Sequence, residues 1–150
     1  MTDVGFTGTQ IGMTAAQKET FRGILRFLDP TSFHHGDCIG ADAEAQGMAA
    51  EMDCPTVGHP PDNASKRAFC DDTRSHPTKP YLERNRDIVD SVKVMIATPK
   101  GFEEELRSGT WATVRYAKRI GRYVHIIWPD GSTEVVGGPL EDPALDDLFG

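Results

Sequence analysis

Nowhere in its 150 residues does the chain carry an apolar run approaching the ~20 residues that cross a bilayer as a helix. Its opening segment, MTDVGFTGTQ, lacks the charged-then-apolar build of a signal peptide, so the expectation is a cytoplasmic protein with no membrane partner. Cysteine is scarce and odd in number. Cys38, Cys54 and Cys70 form no C-x-x-C pair, which argues against a disulfide framework or a Cys-rich zinc site and for reduced thiols. Basic charge is in deficit, with 16 Lys and Arg against 23 Asp and Glu, for a formal net charge of −7. Broad nucleic-acid binding depends on Lys and Arg displacing counterions from phosphates, so this balance argues against it while leaving room for a local basic pocket. Also missing are G-x-G-x-x-G and G-x-x-x-x-G-K-[ST], so neither a dinucleotide fingerprint nor a Walker loop supports a nucleotide reading.

What is present describes one folded unit. Hydrophobic residues at 38% and charged residues at 26% are ordinary for a globular chain, and one core is the default at this length. Val4 and Phe6 lead into GTQIG, a buried strand entering a turn. Thr14 and Gln17 resemble a capping box before Phe21, Ile24, Leu25 and Leu28 at helical spacing, and Pro30 ends that run. SFHHGDCIG reads as a short strand and glycine-containing turn, followed by Ala41, Ala45, Met48, Ala49 and Met52 on one helical face. Thr56 to His59 suits a third strand, whereas the Pro-, Asp- and Ser-rich segment from His59 to Pro80 reads as a long irregular excursion. A helix through YLERNRDIV, a central strand over VKVMIAT, a helix over TWATVRYAKRIG stopped at Gly121, and a strand over YVHIIWP complete the pattern. The prediction is α/β, a single Rossmann-like three-layer domain over residues 1–150 with a mainly parallel sheet of about five strands. Residues 133–150 read as a weakly patterned acidic tail.

Parallel sheets of this kind present ligands to the loops that follow their strands. Three such loops are small and polar: Gly8 to Gln10, His34 to Asp42, and Arg107 to Thr110. Backbone N–H groups and helix N-termini at that edge can cradle a phosphate.

Together GFTGTQ, HHGDCIGADAEA, YLERNRDIV and LRSGTWATVRYAKRIGR resemble the SLOG superfamily, which includes the DNA-processing protein DprA and the LOG phosphoribohydrolases. The likeness spans most of the chain and is closest to small stand-alone members. It implies a nucleotide or nucleotide-derived small molecule as partner, and a homo-dimer or larger assembly. It also implies that Gly8, Thr9 and Gln10 border the base or phosphate, and that Gly36, Gly40, Ala41 and Asp42 form a second wall. Arg84 and Asn85 would face the ligand, and Ser108, Gly109 and Thr110 would bind phosphate, with Thr113 behind them. The residue types suit these roles, since glycine permits close approach, Ser and Thr donate to phosphate oxygens, and Arg supplies a charged fork. Plainer roles remain open: Gly36 and Gly40 as turn residues, SGT as a helix cap, Arg84 as a solvated charge.

The LOG motif resembles PGGxGTxxE, and here LRSGTWAT puts Thr113 where its glutamate stands. A threonine supplies no carboxylate, so N-glycosidic hydrolysis would have to draw on Asp42, Glu44 or Glu83, which could equally be helix-surface charges or caps. HHGDC offers His34, His35, Asp37 and Cys38 as metal-ligand atoms, with His59 or His76 beyond, but neighbours on a strand point to opposite faces. No metal and no cofactor is therefore expected, and His35, nearer the loop, is the better pocket candidate. Cys38 lacks an identifiable oxyanion loop and reads as a small buried residue. Trp111, Tyr116 and Trp128 suit either base stacking or the core. Three functions follow: a nucleotide binder acting as sensor or sequestering module, a hydrolase of nucleoside monophosphates, and, least compatible with the acidic balance, a single-stranded-DNA-handling protein.

Overall fold

The apolar pentapeptide Val4–Gly8 forms strand β1 at the middle of the sheet in a computed structural model that describes residues 2–139. From it the chain runs through α1 (Ala15–Leu28), β2 (Phe33–His35), α2 (Ala41–Glu51), β3 (Thr56–Gly58), a single 3₁₀ turn (Ala64–Lys66) and β4 (Arg74–Ser75). It continues through α3 (Tyr81–Ser91), β5 (Val94–Thr98), α4 (Gly109–Arg119), β6 (Tyr123–Ile127) and β7 (Thr133–Gly137). The strand order is β4-β3-β2-β1-β5-β6-β7, with Val4 opposite both Phe33 and Val94, and every pairing is parallel except the β6–β7 hairpin.

The class is as predicted, but the sheet has seven strands where about five were expected. The two extra ones lack the apolar patterning that announces a strand. β4 is the exposed dipeptide Arg74–Ser75 within the excursion, and β7 is the largely exposed TEVVG at the start of the acidic tail. The part of that tail beyond residue 139 lies outside the described residues. No helix among the described residues is long and apolar enough to cross a membrane.

Strand alternation divides the core into two layers. On one face Phe6, Phe21 and Phe33 meet with ring centroids 5.5–6.0 Å apart beneath α1 and α2. On the other, Met95, Ala97, Val124 and Ile126 pack under α3 and α4, with Trp111 and Val114 facing inward. α1 starts with the predicted capping box, in which Thr14 Oγ1 accepts from Gln17 N and Gln17 Oε1 accepts from Thr14 N. The Gln17 amide then donates to the carbonyls of Pro99 and Ile127, tying α1 to the ends of β5 and β6.

Successive crossovers build outward from β1 to β4, and α3 then returns the chain to β5 on the other side of β1. This reversal opens a crevice between the carboxyl ends of β1 and β5, the place where open α/β sheets receive ligands.

Three histidines, one in β2 and one just beyond each of β3 and β4, line up across the sheet. His34 Nδ1 and His59 Nε2 share a hydrogen bond of 2.9 Å, and the His59 ring stacks on His76 at 4.3 Å. Burial is the main force depressing both, taking His34 down to about 4 and His59 down to about 3, with neighbouring histidines and Arg74 or Arg84 adding to it and Asp3 opposing it at His34. The folded state therefore resists protons that the unfolded chain accepts near 6.5, so stability is present above that pH and is lost as pH falls toward 4. Urea unfolding should show this loss between pH 6.5 and 4 in the natural sequence, and a His34→Gln, His59→Gln double variant should flatten it. An unchanged slope in the double variant would refute the assignment.

Candidate functional site

The loops after β1, β2 and β5 surround a cavity of about 780 Å³ at the carboxyl edge of the sheet, joined by the first turns of α3 and by part of the 59–80 excursion. Gly8, Thr9 and Gln10 line it at the end of β1. The Thr9 carbonyl accepts from the N–H groups of both Gly12 and Ala41, which joins the β1 loop to the start of α2.

The β2 loop contributes Gly36, Cys38 and Asp42 to the lining. Gly40 and Ala41, expected in the same wall, lie behind it instead. Gly40 has φ +92°, and a Cβ there would sit 2.2 Å from the Gln10 carbonyl oxygen, so glycine lets the two loops meet. Ala41 is fully buried beneath Gly8. His35 is likewise outside the cavity. It shares the face of Phe33, accepts the Asp37 N–H at Nδ1 over 3.0 Å, and so carries its proton on Nε2, which donates to Asp72 Oδ1 over 2.6 Å. His34 contacts His59 on the opposite face, so the two adjacent histidines do not converge.

Arg84 is not the solvated helix charge that its sequence position also allowed. It is 3% exposed, and its Nη1 donates to the carbonyls of Gly36 and His59 while Nε donates to Asn85 Oδ1 at 2.7 Å. Both Nη atoms lie 3.6 Å from Cys38 Sγ, and the guanidinium sits 4.7 Å over the Tyr81 ring. Because the Asn85 oxygen is occupied by Arg84, its amide N–H groups are the part left for the cavity, which Asn85 lines. Gln10 Nε2 donates to Tyr81 OH at 2.8 Å, linking the β1 loop to α3.

At the far wall Ser108 caps α4, its Oγ accepting from Trp111 N. Cap and phosphate roles are compatible here, because the N–H groups of Gly109 and Thr110 have no acceptor within the helix and both residues line the cavity. Thr113 lines it too, but its hydroxyl donates to the Gly109 carbonyl at 2.9 Å. Trp111 packs into the core with Trp128 at 5.8 Å.

Of the three candidate carboxylates only Asp42 reaches the cavity. Glu44 accepts from Met13 N at 2.7 Å and pairs with Lys18 at 2.8 Å, which makes it a brace between α2 and the start of α1. Glu83 is exposed on α3 outside the lining. Asp42 is 7% exposed and accepts the Cys38 N–H at 3.2 Å. Burial raises its carboxyl above the ordinary carboxylate range, against the opposing charge of Arg84. Burial likewise pushes the Cys38 thiol up, which keeps it in the unreactive protonated form.

Sequence reasoning missed Asn63, Lys66, Tyr81 and Lys100, which all line the cavity, and placed Arg107 in a candidate loop without giving its side chain a role. Lys100 and Arg107 flank the α4 loop and were within reach of a charge-based reading. Asn63 and Lys66 come from the excursion, where no periodic signal places them.

No family model and no curated relative matches this chain. Among solved structures it aligns with the molybdenum cofactor binding protein from the phototrophic bacterium Rippkaea orientalis at 18% identity and TM-score 0.65, over 98% of this chain and 81% of that one. It also aligns with DNA processing protein A (DprA) from Streptococcus pneumoniae at 18% identity and TM-score 0.62, over 83% of this chain but only 49% of that one. The structural-genomics target TM1055 aligns at 16% identity and TM-score 0.60, over 83% of this chain and 72% of that one. This chain therefore spans about half of DprA. These likenesses show that the chain shares the Rossmann-like α/β fold of those three structures.

Arg84→Met should cost about 3–5 kcal/mol of stability, because it strips two buried carbonyls of their donor and leaves Asp42 without its nearby positive charge. Gly36→Ala should also destabilise, since its Cβ would fall 2.6 Å from Arg84 Nη1. Urea midpoints check both, and a midpoint for Arg84→Met within error of the natural sequence would remove Arg84 from this role.

Proposed function

We propose that this protein binds a nucleotide or nucleotide-derived small molecule in the cavity at the carboxyl edge of its sheet, as a sensor or sequestering module. The observation that carries this reading is the open N-terminus of α4, Ser108 to Thr110, set beside Lys100 and Arg107 at the switch point of a chain whose net charge is −7. Helix-terminal N–H groups and a guanidinium together recognise phosphate, and the acidic remainder of the protein makes that local cationic wall selective for an anion of matching shape. One structural neighbour is by name a binder of the molybdenum cofactor, so a fold of this type receives small molecules.

Hydrolysis of an N-glycosidic bond is the second reading, and Asp42 is the observation that favours it. A carboxyl whose affinity for its proton is raised by burial, in the lining of such a cavity, is placed as a general acid toward a departing base would be. No corresponding observation supports the single-stranded DNA reading.

The test is to incubate the protein with nucleoside monophosphates and to analyse bound and free fractions by mass spectrometry. An intact ligand is expected in the bound fraction, with affinity falling about ten-fold in Arg107→Gln through loss of a charge-assisted contact. Free base with ribose phosphate, abolished by Asp42→Asn, would replace the binder with the hydrolase. Absence of ligand from every bound fraction, with no turnover, would sink both.

A further inference from the structure

The cavity has a second donor-only wall on the far side of β1 from α4, supplied by the excursion. Asn63 Oδ1 is consumed by Ser65, accepting from its N at 3.1 Å and its Oγ at 2.7 Å, so the Asn63 amide offers the cavity only N–H groups. Lys66, beside it in the lining, makes no ion pair among the described residues. The two lining carboxylates are already placed beside other cations: Asp42 lies under the field of Arg84, and Glu105 pairs with Lys100 at 3.6 Å. The positive charge of Lys66 is thus uncompensated on one wall, as that of Arg107 is on the other.

This wall is built rather than draped. Asp37 is 1% exposed at φ +51°, a conformation that non-glycine residues seldom adopt. Its carboxylate accepts from Arg67 Nε and Cys70 N, each at 2.8 Å, and its carbonyl accepts from Ala68 N. The Lys66 carbonyl accepts from Ile39 N at 3.0 Å. The backbone at Lys66 is therefore fixed against the β2 loop by contacts on both sides, and none of them uses the Lys66 side chain.

The Lys66 wall comes from the chain after β3 and is held against the loop after β2, whereas the α4 wall follows β5, so the two stand on opposite sides of β1. Between them Ile11 and Leu82, 78% and 66% exposed, add apolar surface to the lining, which suits the body of a nucleoside. We infer that the ligand is a nucleoside bisphosphate, with one phosphate at the α4 N-terminus and Arg107 and a second, carried elsewhere on the ribose, at Asn63 and Lys66. This rests on the nucleotide reading above and adds the separation of charge to it.

Calorimetric titrations with the 5′-monophosphates, 5′-diphosphates and 3′,5′-bisphosphates of adenosine and guanosine separate charge count from charge placement. For at least one base the 3′,5′-bisphosphate should bind about ten-fold tighter than the 5′-diphosphate, because only it reaches both walls. Lys66→Gln, checked for an unchanged urea midpoint, should reduce that ratio to about two-fold or less, while Arg107→Gln should weaken the diphosphate and the bisphosphate alike. Equal binding of diphosphate and bisphosphate for both bases, or a ratio that survives Lys66→Gln, overturns the second anion site and leaves the nucleotide reading standing. No measurable binding of any of the six overturns both.

Discussion

A buried guanidinium fixes the geometry of the sheet edge on which the cavity rests. Arg84 reaches from the first turn of α3 to the carbonyls of Gly36 and His59, one beyond the end of β2 and one beyond the end of β3. Burying such a charge is costly unless its donors are satisfied, and here carbonyls, the Asn85 oxygen, the Cys38 sulfur and the Tyr81 ring share that task. Two consequences follow for the neighbours. Position 36 has room only for glycine, and Tyr81 is held where Gln10 can bridge to it from the β1 loop.

Asp37 does for the excursion what Arg84 does for α3. A buried carboxylate facing Arg67 and the Cys70 N–H turns a Pro- and Ser-rich segment with little regular structure into a wall of the cavity. The β2 loop thus serves both anchors at consecutive residues, Gly36 for the guanidinium and Asp37 for the excursion. Lys66, Lys100 and Arg107 line one cleft of a chain whose net charge is −7, which supports the proposed small-anion ligand over a polyanionic strand.

Features set by local chemistry were legible in the sequence. The Thr14–Gln17 capping box, the buried VKVMIAT strand and the small polar loops at Gly8, Gly36 and Ser108 depend on neighbours a few residues away, and all three loops do meet at one edge. What a loop position does not disclose is where its side chain points. His35, Gly40, Ala41 and Glu44 sit in or beside the right loop, yet long-range partners draw them away: Asp72 for His35, the Gln10 carbonyl for Gly40, Gly8 for Ala41, and Met13 with Lys18 for Glu44. Asn63 and Lys66 were hidden for the converse reason. Their segment has no period, and the contact that places it, with Asp37, spans about 30 residues of sequence.

The same long-range contacts bear on whether such a site turns its ligand over. Glycosidic hydrolysis needs a proton for the leaving group and, separately, a carboxylate to activate water or stabilise the developing cation. Asp42 has the environment of the first. For the second, Glu44 is spent on bracing α1, Glu83 lies outside the lining, and the Thr113 hydroxyl donates back into its own helix. Glu105 is the other carboxylate in the lining, and it lies beside Lys100 on the wall where a phosphate would be held, which places its charge against a ligand's anion rather than against a sugar carbon. One acid without an opposing base is a constellation suited to recognising a protonation state or accepting a hydrogen bond from a base edge. For that reason the physical chemistry of the cavity weighs toward retention of an intact ligand.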